Sequence, residues 1–214
     1  MEKIPAPWFL KGKGYILVFR FSREFVQQNS FLGEEWMSWY KGGFGSVMLV
    51  DYQQSEAGPY KELLFIPGRF SFFGQKHYTI SKIYVSTESS VQNGRNNWAI
   101  PKELATFDWQ GNVNDERVTV NVKGEKVMEI LLHAKGPKIP INTRVLPLSI
   151  GQEEDGRTLI TRPYGRGWGR MANVDALSVN RAYFPDIRGI KPLMAFRVDP
   201  FQMVFPAAEQ IKGA

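Results

Sequence analysis

The chain has no cysteine and only two histidines in 214 residues. The first absence excludes disulfides, thiolate nucleophiles and Cys-based zinc sites together, and the second puts a histidine-built metal cluster out of reach. No apolar run approaches the ~18 residues that a membrane-spanning helix needs. The start, Met1-Glu2-Lys3-Ile4-Pro5, carries an acid and lacks an apolar stretch of signal-peptide length. A cytoplasmic location without membrane attachment is therefore expected. Repeats, low-complexity tracts and linker-like segments are also missing, so residues 1–214 are expected to form one domain.

What is present points to a well-packed β protein. Hydrophobic residues make up 43% of the chain, with 15 Phe, 8 Tyr and 6 Trp, which excludes disorder. Lys+Arg 27 against Asp+Glu 21 gives a formal charge of +6, spread along the chain. That balance suits a small anionic ligand better than nucleic acid, which would need a concentrated basic face. Short runs rich in Tyr, Ile, Val and Phe, bounded by Gly and Pro, predict strands over residues 14–21, 46–52, 60–66 and 78–86. Residues 117–123 alternate cleanly, Val118, Val120 and Val122 against Arg117, Thr119 and Asn121, and a Lys123-Gly124-Glu125 turn leads into a second strand over 126–133. Further strands are predicted over 142–146, 157–161, 176–183 and 193–198. Helical signals are few: residues 22–28 with Ser22 as N-cap, 101–106 with Pro101 at the first turn, and a terminal helix over 205–212. Many short strands with regular punctuation predict a β-dominated α+β fold, an antiparallel barrel or strongly curved sheets with a few short helices.

Two residues stand out chemically. Alternation in the strand from Tyr60 places Tyr60, Glu62, Leu64 and Ile66 on one face. An acid among such neighbours loses water from its charged form, which raises its pKa toward the range useful for proton transfer. The plain alternative is an exposed Lys61-Glu62 pair at a strand end. Lys102 is flanked by Trp98, Ile100, Leu104 and Phe107. A lysine held in apolar surroundings gives up its proton more easily, and the neutral amine attacks carbonyls. The plain alternative here is a loop lysine lying over aromatic surface with its ammonium in water. The stretch from Tyr164 to Arg170 interleaves aromatics, glycines and arginines, and is expected to be a tight aromatic-pinned loop. His77 and His133 are read as structural.

These residues are where the chain becomes familiar. Gly94-Arg95, a short spacer with Trp98, then Pro101-Lys102 resembles the lysine motif of the acetoacetate decarboxylase family. Gly58-Pro59-Tyr60-Lys61-Glu62-Leu63 resembles that family's acidic strand, and Gly12-Lys13-Gly14-Tyr15 its N-terminal strand, with Lys13 where decarboxylases place an arginine. The resemblance runs from about Pro7 onward through most of the chain. It implies a cone-like barrel enclosing the site, a Schiff base on Lys102 and proton transfer by Glu62. It further implies Arg95 holding the loop or an anionic substrate group, Tyr60 and Trp98 as pocket walls, and Lys13 as a substrate contact. The chemistry implied needs no cofactor and no metal. The expected partner is a small anionic carbonyl compound, and a homo-oligomer is the expected assembly. Decarboxylation of a β-keto acid is the leading expectation, with aldolase or dehydratase chemistry at the same lysine, or a non-catalytic binding barrel, as alternatives.

Three departures bear on that expectation. Glu103 follows the lysine where the best-known decarboxylases carry a second lysine, so repulsion cannot depress the Lys102 pKa and desolvation must. Glu103 is accordingly expected to point away from the pocket. The family's second acid falls near Val47, and residues 46–50 hold no carboxylate. Lys13 keeps a charge but loses the bidentate clamp of an arginine.

Overall fold

The structure is a computed structural model, and it describes residues 2–143 and 148–211. Its elements in chain order are β1 (Trp8–Phe19), α1 (Arg23–Asn29), α2 (Trp36–Trp39), β2 (Gly45–Gln54), β3 (Tyr60–Ile66), β4 (Arg69–Phe72), β5 (Gln75–Tyr78) and β6 (Lys82–Val85). They continue as α3 (Glu88–Trp98), β7 (Lys102–Leu104), β8 (Thr106–Gly111), β9 (Asp115–Val122), β10 (Glu125–Asn142) and β11 (Ile150–Glu154). The chain ends through β12 (Arg157–Thr161), β13 (Tyr164–Val179), β14 (Met194–Phe205) and β15 (Glu209–Ile211). Ten strands form one sheet in the order β7-β6-β3-β2-β1-β14-β13-β10-β9-β8, and a second sheet orders β15-β12-β11-β5-β4. The first sheet is nearly closed. Its two outermost strands, β7 and β8, are separated in the chain by Ala105 alone, whose N–H donates to Val85 O at 2.9 Å.

Alternation along these strands sorts the side chains into two cores. One face of the barrel wall sends Tyr15, Leu17, Val47, Leu49, Leu63, Phe65, Val118, Val120, Met128 and Ile130 into a single buried cluster, the filled interior. The opposite face sends Leu10, Val50, Tyr52, Tyr60, Leu64 and Ile83 into a second cluster, where they meet Val91 and Trp98 of α3 and Ile150 of the smaller sheet. Glu62 lies on this second face, with Leu64 and Ile66, as its alternation requires.

The β9–β10 hairpin forms as its sequence predicts, with Lys123 and Gly124 both at positive φ (52° and 86°) in the turn. α1 starts where Ser22 accepts from Phe25 N at 3.0 Å. Several local expectations are corrected. Residues 101–106 are not a helix: Ala99 takes the left-handed conformation that ends α3, and Lys102–Leu104 then pairs in parallel with β6. Pro101 fixes one φ, which an extended chain accepts as readily as a helical one. The terminal segment contributes the end of β14 and then β15 instead of a helix, with residue 212 outside the described residues. The stretch from Tyr164 to Arg170 is strand in β13, with a register shift against β14 between Gly167 and Gly169, and its glycines at alternate positions let β14 come close; a Cβ on Gly165 would lie 2.5 Å from Gln202 O. Of the strand expected over 142–146, Asn142 closes β10 and residues 144–146 lie outside the described residues. Among the described residues, no helix is long and apolar enough to cross a membrane.

Candidate active site

The site begins at the junction of α3 and β7. Thr87 caps α3 by accepting from Ser90 N, and Val91, Gly94 and Trp98 fall at i, i+3 and i+7 on the face turned to the core. After the left-handed turn at Ala99 the chain doubles back, so the Lys102 side chain lies against the helix it has just left. It lies where Gly94 has no side chain: a Cβ there would be 2.5 Å from Lys102 Cδ and 2.8 Å from Cε. Gly94 is therefore part of the lysine's socket.

Lys102 is 3% exposed and Glu62 4%. Their Nζ and Oε2 atoms are 3.2 Å apart, and the amine also donates to Ser90 Oγ at 3.0 Å. Tyr60 and Trp8 present ring faces to the amine at 4.9 and 5.8 Å. The Tyr52 hydroxyl donates to Glu62 Oε1 at 3.3 Å. Burial lowers the Lys102 pKa from the ordinary lysine value, and attraction to Glu62 returns only part of that shift. Burial, reinforced by Glu62, holds the Tyr52 and Tyr60 hydroxyls well above their usual pKa, so both remain neutral donors. The amine, the carboxylate and the two hydroxyls together can deliver and remove protons at one buried point.

The two residues most strongly marked in the sequence thus meet, although 40 positions separate their numbers in the chain. Tyr60 and Trp98 line the same cavity, and Trp98 packs edge-on against Trp8 at 4.9 Å. Arg95 does not reach the cavity. Its Nε donates to Lys102 O at 2.9 Å, which leaves it the loop-holding role of the two considered. Lys13 is directed to the other face of β1, where it pairs with Glu116 at 2.6 Å. Val47 likewise faces the barrel interior, so the position expected to lack the second acid is not a cavity position. Glu103 alternates away from Lys102 and pairs with Lys82 at 2.5 Å, 43% exposed, as expected. The site also lies on the face of the wall opposite the filled interior, under α3 and the smaller sheet, where the resemblance had implied enclosure by the barrel itself.

Sequence reasoning missed Ser90, Tyr52, Trp8 and the helix that carries Ser90. A Thr cap, Glu88 in the first turn and the Val91–Trp98 spacing were available as signals, but Ser, Asn and Gly dominate α3 and mask them. It also missed a second buried polar group inside the barrel, in which Glu116 accepts from Lys13, Tyr15, Trp109 and Arg197 at 2.6 to 3.0 Å. Among the described residues, no group of three or more His, Asp or Glu side chains is placed to hold a metal.

A family model for acetoacetate decarboxylase matches residues 4–150, a span that includes Lys13, Glu62, Gly94 and Lys102. No curated protein matches. Among solved structures, an acetoacetate decarboxylase aligns with a TM-score of 0.71 at 14% identity, over 97% of this chain and 90% of the other. The acetoacetate decarboxylase of Legionella pneumophila aligns at 0.68 and 12% identity, over 97% and 88%. The enduracididine biosynthesis enzyme MppR, complexed with the condensation product of pyruvate and imidazole 4-carboxaldehyde, aligns at 0.61 and 13% identity, over 97% and 90%. At such identities these likenesses speak for the fold.

Proposed function

The chain belongs to the acetoacetate decarboxylase family, and from that premise we propose that it is a lysine-amine enzyme acting on a carbonyl compound, with decarboxylation of a β-keto acid as its reaction. The observation that carries the reading is the Lys102 amine, buried, lowered in pKa and 3.2 Å from the carboxylate of Glu62.

Glu62 takes a proton from the Lys102 ammonium; the neutral amine attacks the keto carbon, and its own N–H proton passes to the oxygen to give a carbinolamine. Loss of the hydroxyl as water, with a proton delivered by Glu62, leaves the iminium. The iminium is the electron sink: as carbon dioxide departs, the electron pair of the breaking carbon–carbon bond forms the enamine. Protonation of the enamine carbon and addition of water then release the ketone and return the free amine. The neutral hydroxyls of Tyr52 and Tyr60 hold Glu62 and the attacked oxygen in register. Arg95 acts at one remove, by fixing the backbone that carries Lys102. No cofactor is required, because the iminium does the work of one.

A second reading is favoured by one observation. Glu62 is the only carboxylate among the described residues of the cavity wall, and neither Lys13 nor Arg95 reaches it. A site with no clamp from Lys13 or Arg95 suits aldol or dehydration chemistry through the same enamine, in line with the condensation product bound by the structurally similar MppR. A purely binding barrel would suit an exposed, unperturbed lysine, and Lys102 is neither.

Borohydride trapping with a panel of β-keto and α-keto acids, followed by mass mapping, tests the proposal. The adduct is expected on Lys102 and absent in both Lys102→Ala and Lys102→Arg, since a guanidinium stays protonated and forms no imine. An adduct on another lysine, or trapping that survives either change, overturns the assignment. Glu62→Gln should slow turnover by roughly a hundredfold or more, the usual scale for a lost general acid–base.

A further inference from the structure

The cavity wall crosses several strands. The wall opposite α3 is built from consecutive strands of the large sheet: Glu62 and Leu64 of β3, then Met48 and Val50 of β2, then Gly14 and Ile16 of β1. It continues through Val198 and Phe201 of β14 to Gly165 and Gly167 of β13. From β3 to β13 is four interstrand steps, about 19 Å at the usual spacing. The reactive groups gather at one end. Lys102, Glu62, Tyr52 and Tyr60 stand at the β3–β2 side, and the wall from Met48 to Phe201 is apolar. On the β13 side Gly165 and Gly167 line the wall with backbone alone, packed against β14. The cavity volume is about 170 Å³. Arg166 of β13, an exposed residue, is the one other cation among the described residues that line the wall.

We propose that this site takes a carbonyl compound bearing a linear apolar tail, a medium-chain β-keto acid or the corresponding ketone, with its keto carbon at Lys102 and its tail along the trough toward Gly165 and Gly167. The proposal rests on the amine-catalysis reading and adds the substrate class. A short polar acid gains little from this wall: acetoacetate would leave its apolar part uncovered, and the one other cation among the described lining residues, Arg166, belongs to β13. Each added methylene covers wall otherwise open to water.

The test is a chain-length series of β-keto acids, from acetoacetate to β-oxododecanoate, assayed by carbon dioxide release and by borohydride trapping. The kcat/KM is expected to rise roughly fourfold per methylene until the trough is full, with acetoacetate a poor substrate. A flat or falling series, with short ketones still trapped on Lys102, overturns the tail and leaves amine catalysis standing. Should no ketone of any length be trapped, the amine reading fails by itself. Affinity of the same acids, read from tryptophan fluorescence of Trp8 and Trp98, then decides the tail, and affinity that does not rise with length overturns it. Ile16→Trp, which narrows the trough midway, should lower kcat/KM for the long members more than for acetoacetate; an equal loss across the series counts against the proposal.

Discussion

Lys102 is prepared for attack by where its amine is, and its neighbours decide how far. Burial favours the neutral amine, while Glu62 and the faces of Tyr60 and Trp8 favour the ammonium. Because burial is the larger effect, the rate of imine trapping should rise with pH through an apparent pKa below the ordinary lysine value near 10.4. Glu103 is covalently next to this lysine yet electrostatically remote, paired with Lys82 on the other side of β7. Glu103→Gln and Glu103→Lys should therefore move that pH profile by only a few tenths of a unit, as for a screened charge. A downward move of a whole unit in Glu103→Lys would show that the carboxylate acts directly on the amine.

At the scale of elements, the site depends on how α3 and β7 fit together. The helix ends in a left-handed residue, the strand returns beneath it, and the contact is a lysine stem against a glycine. Gly94→Ala brings a methyl group to 2.5 Å from Lys102 Cδ. The helix itself gains up to about 1 kcal/mol of propensity from that change. The lysine, however, must leave its socket. We expect a folded protein with little change in Tm and trapping slowed about a hundredfold, the cost typical of a catalytic group displaced by about 1 Å. Circular dichroism and the trapping rate on the same sample separate these two effects. The motif that looks like a spacer before the lysine is thus a helix whose second turn, at Gly94, is shaped to receive it.

At the scale of the whole molecule, the barrel carries its own buried charges apart from the site. Desolvation opposes the ionised form of Glu116, but Lys13, Arg197 and Tyr15 outweigh it, and the carboxyl is held below its usual pKa. A depressed carboxylate contributes stability that is complete above its unfolded pKa and is lost as the pH falls through its folded one. Glu116→Gln should accordingly cost roughly 3 kcal/mol near neutrality, because Arg197 and Lys13 lose their counter-ion in a buried setting. The gap between variant and wild type should narrow as the pH drops below about 4. Urea unfolding at several pH values checks both statements. Since this group faces away from the cavity, trapping at Lys102 in the folded variant should keep its pH profile.

Period-two alternation is a local property, which is why the sequence by itself determined the β character, the 117–133 hairpin and the face to which Glu62 belongs. The apolar flanks Trp98, Ile100, Leu104 and Phe107 marked Lys102 for the same reason, being neighbours in the chain, and the resemblance of its Gly-Arg and Pro-Lys pairs to the family's motif implied its role. The tertiary structure decided the rest. Pairing with β6 made a strand of residues that a proline had marked as a helix start, and burial made a helix of the Ser- and Asn-rich segment before it. Which of two faces holds the site depends on strands far apart in sequence. Lys13 carries the charge expected of a substrate contact, yet the fold turns it inward to Glu116, because its neighbour Gly14 occupies the cavity face. No local pattern records how the sheet nearly closes at Ala105, and that curvature separates a filled interior from a cavity left open for a ligand.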